Sequence, residues 1–451
     1  MSAFKRRMNG IHRKRNKALG IPELIAIALG GMVGGGIFTI LGISVAMIGA
    51  FTPVAIAVGG LIAAVAAYSY VKLGVYYKDE GASYAFYKKT FPKSPFAASL
   101  IGWWVVFGYI STIALYAYTF ASYALSSSSF SENEIARKLV AGLVIGVFML
   151  INIWSVKGMG KIEDLMVYSK LIILVVISFV LINNSQTSFP VLFQDEPGVS
   201  LLHILVVASL TFVAYEGFQL VINAVNDMET PEKNIPYAIY SAIGVAILIY
   251  VIMASGALLA IPFENIVNDQ EYALASGAGN TLGNWGTQLV IVGALLATSS
   301  AISGTMFGAS RQMAAIARDG YFPSFLAMRR ANIPVNAILA MAGLAFCLVL
   351  VGSLRVILEF GSVTFLLVSM LMAYANLKIR KETQSNTTMT ILALVSLAVG
   401  TLLIFYYEIT VQPEQIVFIG GLYVLLTGGA YLYAKSFSTK NNPAETDTPQ
   451  S

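Results

Sequence analysis

Charge is scarce in this 451-residue chain, where Lys, Arg, Asp and Glu make up 11% of the residues, against roughly 25% in soluble domains. That shortage, with 57% of the residues apolar, leaves too little polar surface to cover a water-soluble globule. Cysteine occurs once, as Cys347 in an apolar run, which excludes an internal disulfide framework and any cysteine-based metal site. Histidine occurs twice, as His12 and His203, and the two are too far apart to make a metal cluster. No Gly-Lys-Ser/Thr follows a glycine run, so a phosphate loop is absent. Without a His, Cys or paired-carboxylate cluster in the apolar runs, the chain does not read as an enzyme, and no cofactor or metal is expected.

What the chain has in abundance is apolar runs of about 20 residues, each enough to cross about 30 Å of hydrocarbon. Twelve are counted, near 22–50, 53–77, 96–125, 137–156, 163–183, 200–225, 236–261, 286–316, 334–352, 356–378, 388–407 and 415–435. The expected class is therefore an all-α multi-pass membrane protein with the lipid bilayer as its solvent. The first run is nearly twice the apolar core of about 7–15 residues found in a signal peptide, so it reads as an uncleaved anchor.

Positive charge gives the orientation, because Lys and Arg gather in cytoplasmic loops. With the N-terminus inside, 23 of the 28 Lys and Arg residues fall on the inner side, three on the outer side (Arg137, Lys138 and Arg355), and Lys72 and Lys170 within spans. The net charge of +5 is thus a topology signal and not a footprint for nucleic acid. Both termini are expected to be cytoplasmic. Residues 1–20 form a basic segment, and the polar, proline-containing 436–451 is expected to be disordered. The stretch "KDEGASYAFYKKTFPKS" between spans two and three mixes aromatic and basic residues and is expected to lie along the inner interface.

Two spans are interrupted. "GGMVGGGIFTILG", residues 30–42, places Gly30, Gly31, Gly34, Gly35 and Gly36 in seven positions. The 29 residues from Pro22 to Ala50 suit two half-helices better than one straight helix. In span six, "TFVAYEGFQLVINAVNDMETPEKNIP" puts Glu216 and Gly217 at mid-membrane depth. Spans one and six are five apart, an odd number, so the second block of five enters from the opposite side. That is the condition for an inverted-topology repeat with binding groups at two broken helices, here 21–184 and 200–380, with 388–435 as a peripheral pair.

Each candidate group has a structural and a functional reading. Gly30–Gly34 and Gly31–Gly35 are small-residue pairs that let helices approach; alternatively, Gly34 to Gly36 unwinds and points free N–H groups, with Ile37 at the start of the second half-helix, at a carboxylate. Glu216 is either an acceptor bridging the halves of its helix or a functional mid-membrane carboxylate. In both cases the carbonyls of Val213, Ala214 and Glu216 lose helical partners and suit an ammonium group. Lys170 either snorkels to the interface or sits near the broken helix, where burial lets it exchange a proton; Lys72 reads as snorkelling. Tyr109, Ile113 and Tyr116 share one helical face, as packing or as a pocket lining. Ser299, Ser300 and Ser303 are either helix glue or oxygens for a cation.

At these residues the chain resembles the amino acid-polyamine-organocation superfamily of permeases, over nearly its whole length. "GGMVGGGIFTILG" is similar to the first-helix motif, "FVAYEGFQLVINAVNDMETPEKNIPYAI" to the sixth-helix block and "SRQMAAIARDGYFP" to the end of the eighth helix. "AAYSYVKLG" and "VKGMGKIEDLMVYSKLIIL" most resemble the ApcT-type proton-coupled transporters. The resemblance implies the LeuT fold, with twelve helices, a five-plus-five inverted repeat and two added helices. It implies a substrate carboxylate at Gly34, Gly35, Gly36 and Ile37, and a substrate amino group at the carbonyls of Val213, Ala214 and Glu216. It also implies that the Lys170 ammonium lies near the carbonyls of Met32 or Val33 and near Ser299 or Ser300. The expected activity is proton-coupled uptake of amino acids of broad or neutral specificity across the inner cell membrane by alternating access, with sodium-independent exchange of amino acids or polyamines as the alternative. Two features depart from relatives: Gly34 to Gly36 offers no side chain to the carboxylate, and Glu216 stands where some ApcT-type members have an apolar residue.

Overall fold

The computed structural model describes residues 19–441 except 155, 195–197, 270–271 and 331–332. The basic segment before residue 19 and the tail from residue 442 lie outside the described residues, while residues 436–441, expected to be disordered, continue the last helix to Asn441. Among the described residues everything regular is helical, the only extended pairing being an isolated bridge between Arg330 and Ile333. An apolar solvent enforces this, since a helix satisfies its own N–H and C=O groups.

The chain runs through α1 (Ile21–Met32), α2 (Gly36–Ile48), α3 (Thr52–Tyr77), α4 (Ala82–Thr90), α5 (Pro95–Leu125), α6 (Glu134–Trp154), α7 (Val156–Asn183), α8 (Phe189–Gln194), α9 (Leu201–Leu210), α10 (Phe212–Tyr215) and α11 (Leu220–Asn223). It continues through α12 (Pro231–Ala260), α13 (Phe263–Asn268), α14 (Ala273–Arg318), α15 (Val335–Val351), α16 (Leu354–Lys378), α17 (Thr387–Val411) and α18 (Pro413–Asn441). Nine stretches among the described residues are long and apolar enough to cross a membrane, and two shorter apolar helices, Ile21–Met32 and Val335–Val351, accompany them. The chain is therefore a multi-pass membrane protein.

Local chemistry marks the helix starts. Proline occupies the first turn of α1, α3, α5 and α12, where its missing N–H costs nothing. Side chains cap other starts: Ser94 accepts from the amide of Ala97, Ser353 from that of Val356, and Asn386 from those of Thr388 and Met389.

α5 is the central post, packed against α14, α16, α18 and α6. Of its most apolar stretch 78% is buried, against 33% for α17 and 17% for α18, so the last two helices clad the outside. α12 lies along α3, α7 and α1. At one end of the bundle Lys88 pairs with Asp319 at 2.7 Å, Lys89 with Asp79 at 2.5 Å and Lys78 with Glu232. Lys72 donates to the carbonyl of Gln384 at 3.1 Å, so the positive loops that follow α3 meet the loops before α12, after α14 and after α16. α4, from the expected interfacial stretch, lies against α5 and α16.

One region departs from the sequence reading. A short α13 and the leading part of α14 precede residue 286, with a break at Gly283 (φ 70°) inside α14. The segment "ASGAGNTLGNWG" has no apolar period to announce a helix.

Helix crossings depend on small residues. A Cβ placed on Gly59 of α3 would lie 2.0 Å from Thr211 Oγ1 and 2.6 Å from the carbonyl oxygen of Ala208, whereas one on Gly244 of α12 meets nothing within 4 Å. Gly59→Ala is therefore expected to destabilise by about 1–3 kcal/mol through overpacking, and Gly244→Ala to stay within about 1 kcal/mol of wild type. Thermal unfolding of both variants in detergent checks the contrast.

Candidate functional site

α1 ends at Met32 and α2 begins at Gly36, on either side of Val33, Gly34 and Gly35. The last amide bonds of α1 run from Val33 to Leu29 (2.8 Å) and from Gly34 back to Met32 (2.9 Å); the next helical bond runs from Thr39 to Gly35 at 3.0 Å. The first-turn amides of α2 between them have no acceptor within the helix, and they carry its positive end. Every residue from Ala28 to Val45 is buried.

None of the five glycines here takes a positive φ; they are small because neighbours press on them. A Cβ on Gly34 would sit 2.6 Å from Ala301 Cβ, one on Gly35 3.1 Å from Thr119 and Thr298, and one on Gly36 3.0 Å from Ala214 Cα. Gly31 would meet Leu220 at 2.6 Å and Gly30 would meet Val167 at 3.2 Å. Close approach therefore accounts for all five positions, including the three read as a break.

The second interruption starts with a bend at Thr211 between α9 and α10 and opens after Tyr215. Glu216 is extended (ψ 136°) and Gly217 has φ 125°, a conformation that only glycine adopts without strain. A Cβ on Gly217 would also lie 2.6 Å from the carbonyl carbon of Gly31. The two breaks thus touch backbone to backbone.

Three donors from other helices serve the carbonyls exposed at the breaks. Lys170 of α7, fully buried, donates to the Gly30 carbonyl at 3.0 Å and to Ser300 Oγ of α14 at 3.3 Å. Tyr116 of α5 donates to the Gly31 carbonyl at 3.4 Å. Tyr250 of α12 places its hydroxyl 2.8 Å from the Met32 carbonyl and 3.1 Å from that of Ala214, so one phenol spans both breaks. Beside them Gln219 donates to Tyr109 Oη at 2.5 Å and to Glu216 Oε1. Glu216 Oε2 and Gln219 Oε1 are buried without a partner.

The sequence-derived residues converge here to different degrees. Gly34, Gly35, Gly36 and Ile37 lie at the first break, Val213, Ala214 and Glu216 at the second, and Tyr109 reaches the second through Gln219. Of the neighbours expected for Lys170, Ser300 bonds to it and Ser299 is half-buried one residue earlier. The carbonyl it holds is that of Gly30, while Met32 faces Tyr250; Val33 is fully buried between them. Two of the three carbonyls assigned to an ammonium already have partners: Val213 accepts the Glu216 amide at 3.2 Å and Ala214 accepts from Tyr250.

Tyr250 and Gln219 were not singled out. A tyrosine inside the apolar "AILIYVIMASG" needs a hydrogen-bond partner when buried, and Gln219 stands one helical turn from Glu216. Both signals are present in the sequence, though neither names its partner.

Residues 19–436 match the family model described as amino acid permease. An uncharacterized protein of Methanocaldococcus jannaschii is 27% identical over 399 residues, 88% of this chain and 91% of that one. The inner membrane transport protein YbaT of Escherichia coli is 30% identical over 301 residues, 66% of this chain and 69% of its own length. Cationic amino acid transporter 6, chloroplastic, of Arabidopsis thaliana is 24% identical over 376 residues, covering 78% and 64% respectively. A match of this extent, on a helical membrane protein with two interrupted helices in contact, establishes that the chain belongs to the amino acid permease family.

Proposed function

We propose that this permease carries amino acids of broad or neutral specificity into the cell together with protons, by alternating access. The observation that carries the proton assignment is Lys170, whose ammonium joins α7 to α1 at Gly30 and to α14 at Ser300. A charged lysine favours the negative C-terminal end of a helix and offers three donors; the neutral amine keeps two donors and loses the charge term. Proton loss thus weakens the junction of three helices, which is the differential interaction a coupled conformational change requires.

The substrate class follows from two facing sets of backbone groups. The amides of Gly34, Gly35, Gly36 and Ile37 suit a carboxylate. The carbonyls of Val213, Ala214 and Glu216 suit an ammonium, since each carbonyl oxygen has two lone pairs and a bond to Glu216 N or Tyr250 occupies one. Opposed in this way, they describe an α-amino acid zwitterion, with Tyr109 lining the pocket and Met32, Val33, Ser299 and Ser300 surrounding the lysine.

The wider architecture we propose is the LeuT fold. Splitting the first of the nine long apolar stretches at Gly49–Phe51, and adding Glu134–Trp154 and Val335–Val351, gives twelve crossings. They group as repeats 21–184 and 200–380 with 388–435 outside, and both termini are cytoplasmic. A bacterial relative named as an inner membrane transport protein supports the inner cell membrane as the location.

Sodium-independent exchange of amino acids or polyamines is the second reading. It is favoured by the partnerless Glu216 Oε2, an anion for a second positive group, and by relatives named cationic amino acid transporters.

Lys170→Ala is expected to cut pH-gradient-driven uptake of labelled amino acids into liposomes at least about tenfold, a loss of about 1.4 kcal/mol of coupling; unchanged proton-driven uptake would sink the assignment. Tyr250→Phe removes one hydrogen bond of about 1 kcal/mol and is expected to weaken amino acid binding about fivefold, read by thermal shift against ligand concentration.

A further inference from the structure

Away from the broken helices, at the end of the bundle where α16 begins, two carboxyl groups are buried around one guanidinium. Arg355 donates from Nε to Glu359 Oε1 at 2.8 Å and from Nη2 to Tyr407 Oη at 2.6 Å. Glu359 is 0% exposed and Glu408, on α17 beside Tyr407, is 1% exposed. The two carboxyls lie within hydrogen-bond reach of each other. Yet Glu359 Oε2 and both oxygens of Glu408 have no hydrogen-bond partner among the described residues.

Ionised carboxylates only accept hydrogen bonds. Three acceptor oxygens without a donor among the described residues, with one positive charge for two carboxylates, leave room for a hydrogen between the carboxyls. With Glu408 ionised, two like charges would stand at bonding distance in a medium of low dielectric, the situation in which a carboxyl pair keeps one proton. The other titratable side chains facing α16 do not supply it: Tyr423 of α18 is paired with Thr364, Tyr109 of α5 packs on Phe365, and Tyr70 of α3 meets Ser369, all further along the helix. α9 contributes His203, exposed at its start, and α10 contributes Tyr215, which bonds to the Ile56 carbonyl.

We propose that Glu359 and Glu408 form a proton-binding site, one proton shared by the two carboxyls, which latches α17 onto α16 beside the second helix break. The neighbourhood of that break is concrete. Gly361, two residues after Glu359, lies so close that a Cβ there would be 3.4 Å from Val213 Cγ2, and Ser362 donates to the Leu210 carbonyl at 2.8 Å. The latch is separate from Lys170 in position and in chemistry, and it does not require the transport assignment to hold.

Two measurements on the full-length protein in lipid test it. The infrared carbonyl stretch of a protonated carboxylic acid is read in wild type minus Glu408→Gln at neutral pH. A band lost in the variant is expected, abolished in wild type by alkali and indifferent to exchanging sodium for potassium. Should Glu408→Gln fold poorly, Glu359→Gln serves, because Glu408 then ionises beside Arg355 and the same band disappears. Amide hydrogen exchange over the last turns of α17 is read against pH: in wild type, protection corrected for the intrinsic rate is expected to fall by up to about tenfold per pH unit over the range in which the latched pair holds the proton and the parted carboxyls do not, levelling off once the latched pair has lost it too, and in Glu408→Gln to stay flat. Equal bands in wild type and variant, a band that changes with sodium, or the same fall in protection in both proteins would each overturn the proposal.

Discussion

A backbone carbonyl that loses its amide partner inside an apolar medium must find another donor or cost several kcal/mol, and the centre of this protein is arranged around that requirement. Where α1 stops, three successive carbonyls are reached from three different helices: Gly30 by Lys170 of α7, Gly31 by Tyr116 of α5 and Met32, which also accepts the Gly34 amide, by Tyr250 of α12. An interrupted helix thereby becomes the hub to which much of the bundle is tied. The buried polar side chains here are the means by which a broken helix is tolerated.

Glycine has two distinct uses in the same region. Gly217 takes a backbone conformation closed to other residues, while Gly31 and Gly34 to Gly36 have ordinary dihedrals and serve by leaving room. Gly36 over Ala214 and Gly31 against Gly217 bring the two interrupted helices into contact without intervening side chains. The tightness of that contact means that a substitution at Gly34 or Gly35 disturbs α5 and α14 as well as any ligand, so the glycines cannot be tested as ligand-binding groups in isolation.

Much of this was legible in the sequence because it depends on local composition. Apolar runs gave the helices, glycine clustering gave the first break, and a carboxylate followed by glycine inside an apolar run gave the second. Lys170 stood out as a charge too deep for its surroundings, and the outer position of the last two helices matches the peripheral pair expected for 388–435. What the sequence withheld was pairing across distance. Nothing local ties Tyr250 to Met32, 218 residues away, or Glu359 to Glu408 on the next helix. The bend at Thr211 and the helix ahead of Gly283 were also hidden, because neither carries an apolar period of its own.

Tyr250 has one hydroxyl hydrogen and two carbonyls within reach. At any instant it can donate fully to only one of them, so the Met32 and Ala214 carbonyls compete for a single proton that belongs to neither. The hydroxyl is shared between the breaks, and the Met32 carbonyl keeps the Gly34 amide when the phenol turns to Ala214. Any second donor reaching the Ala214 carbonyl would free the phenol to turn wholly to Met32.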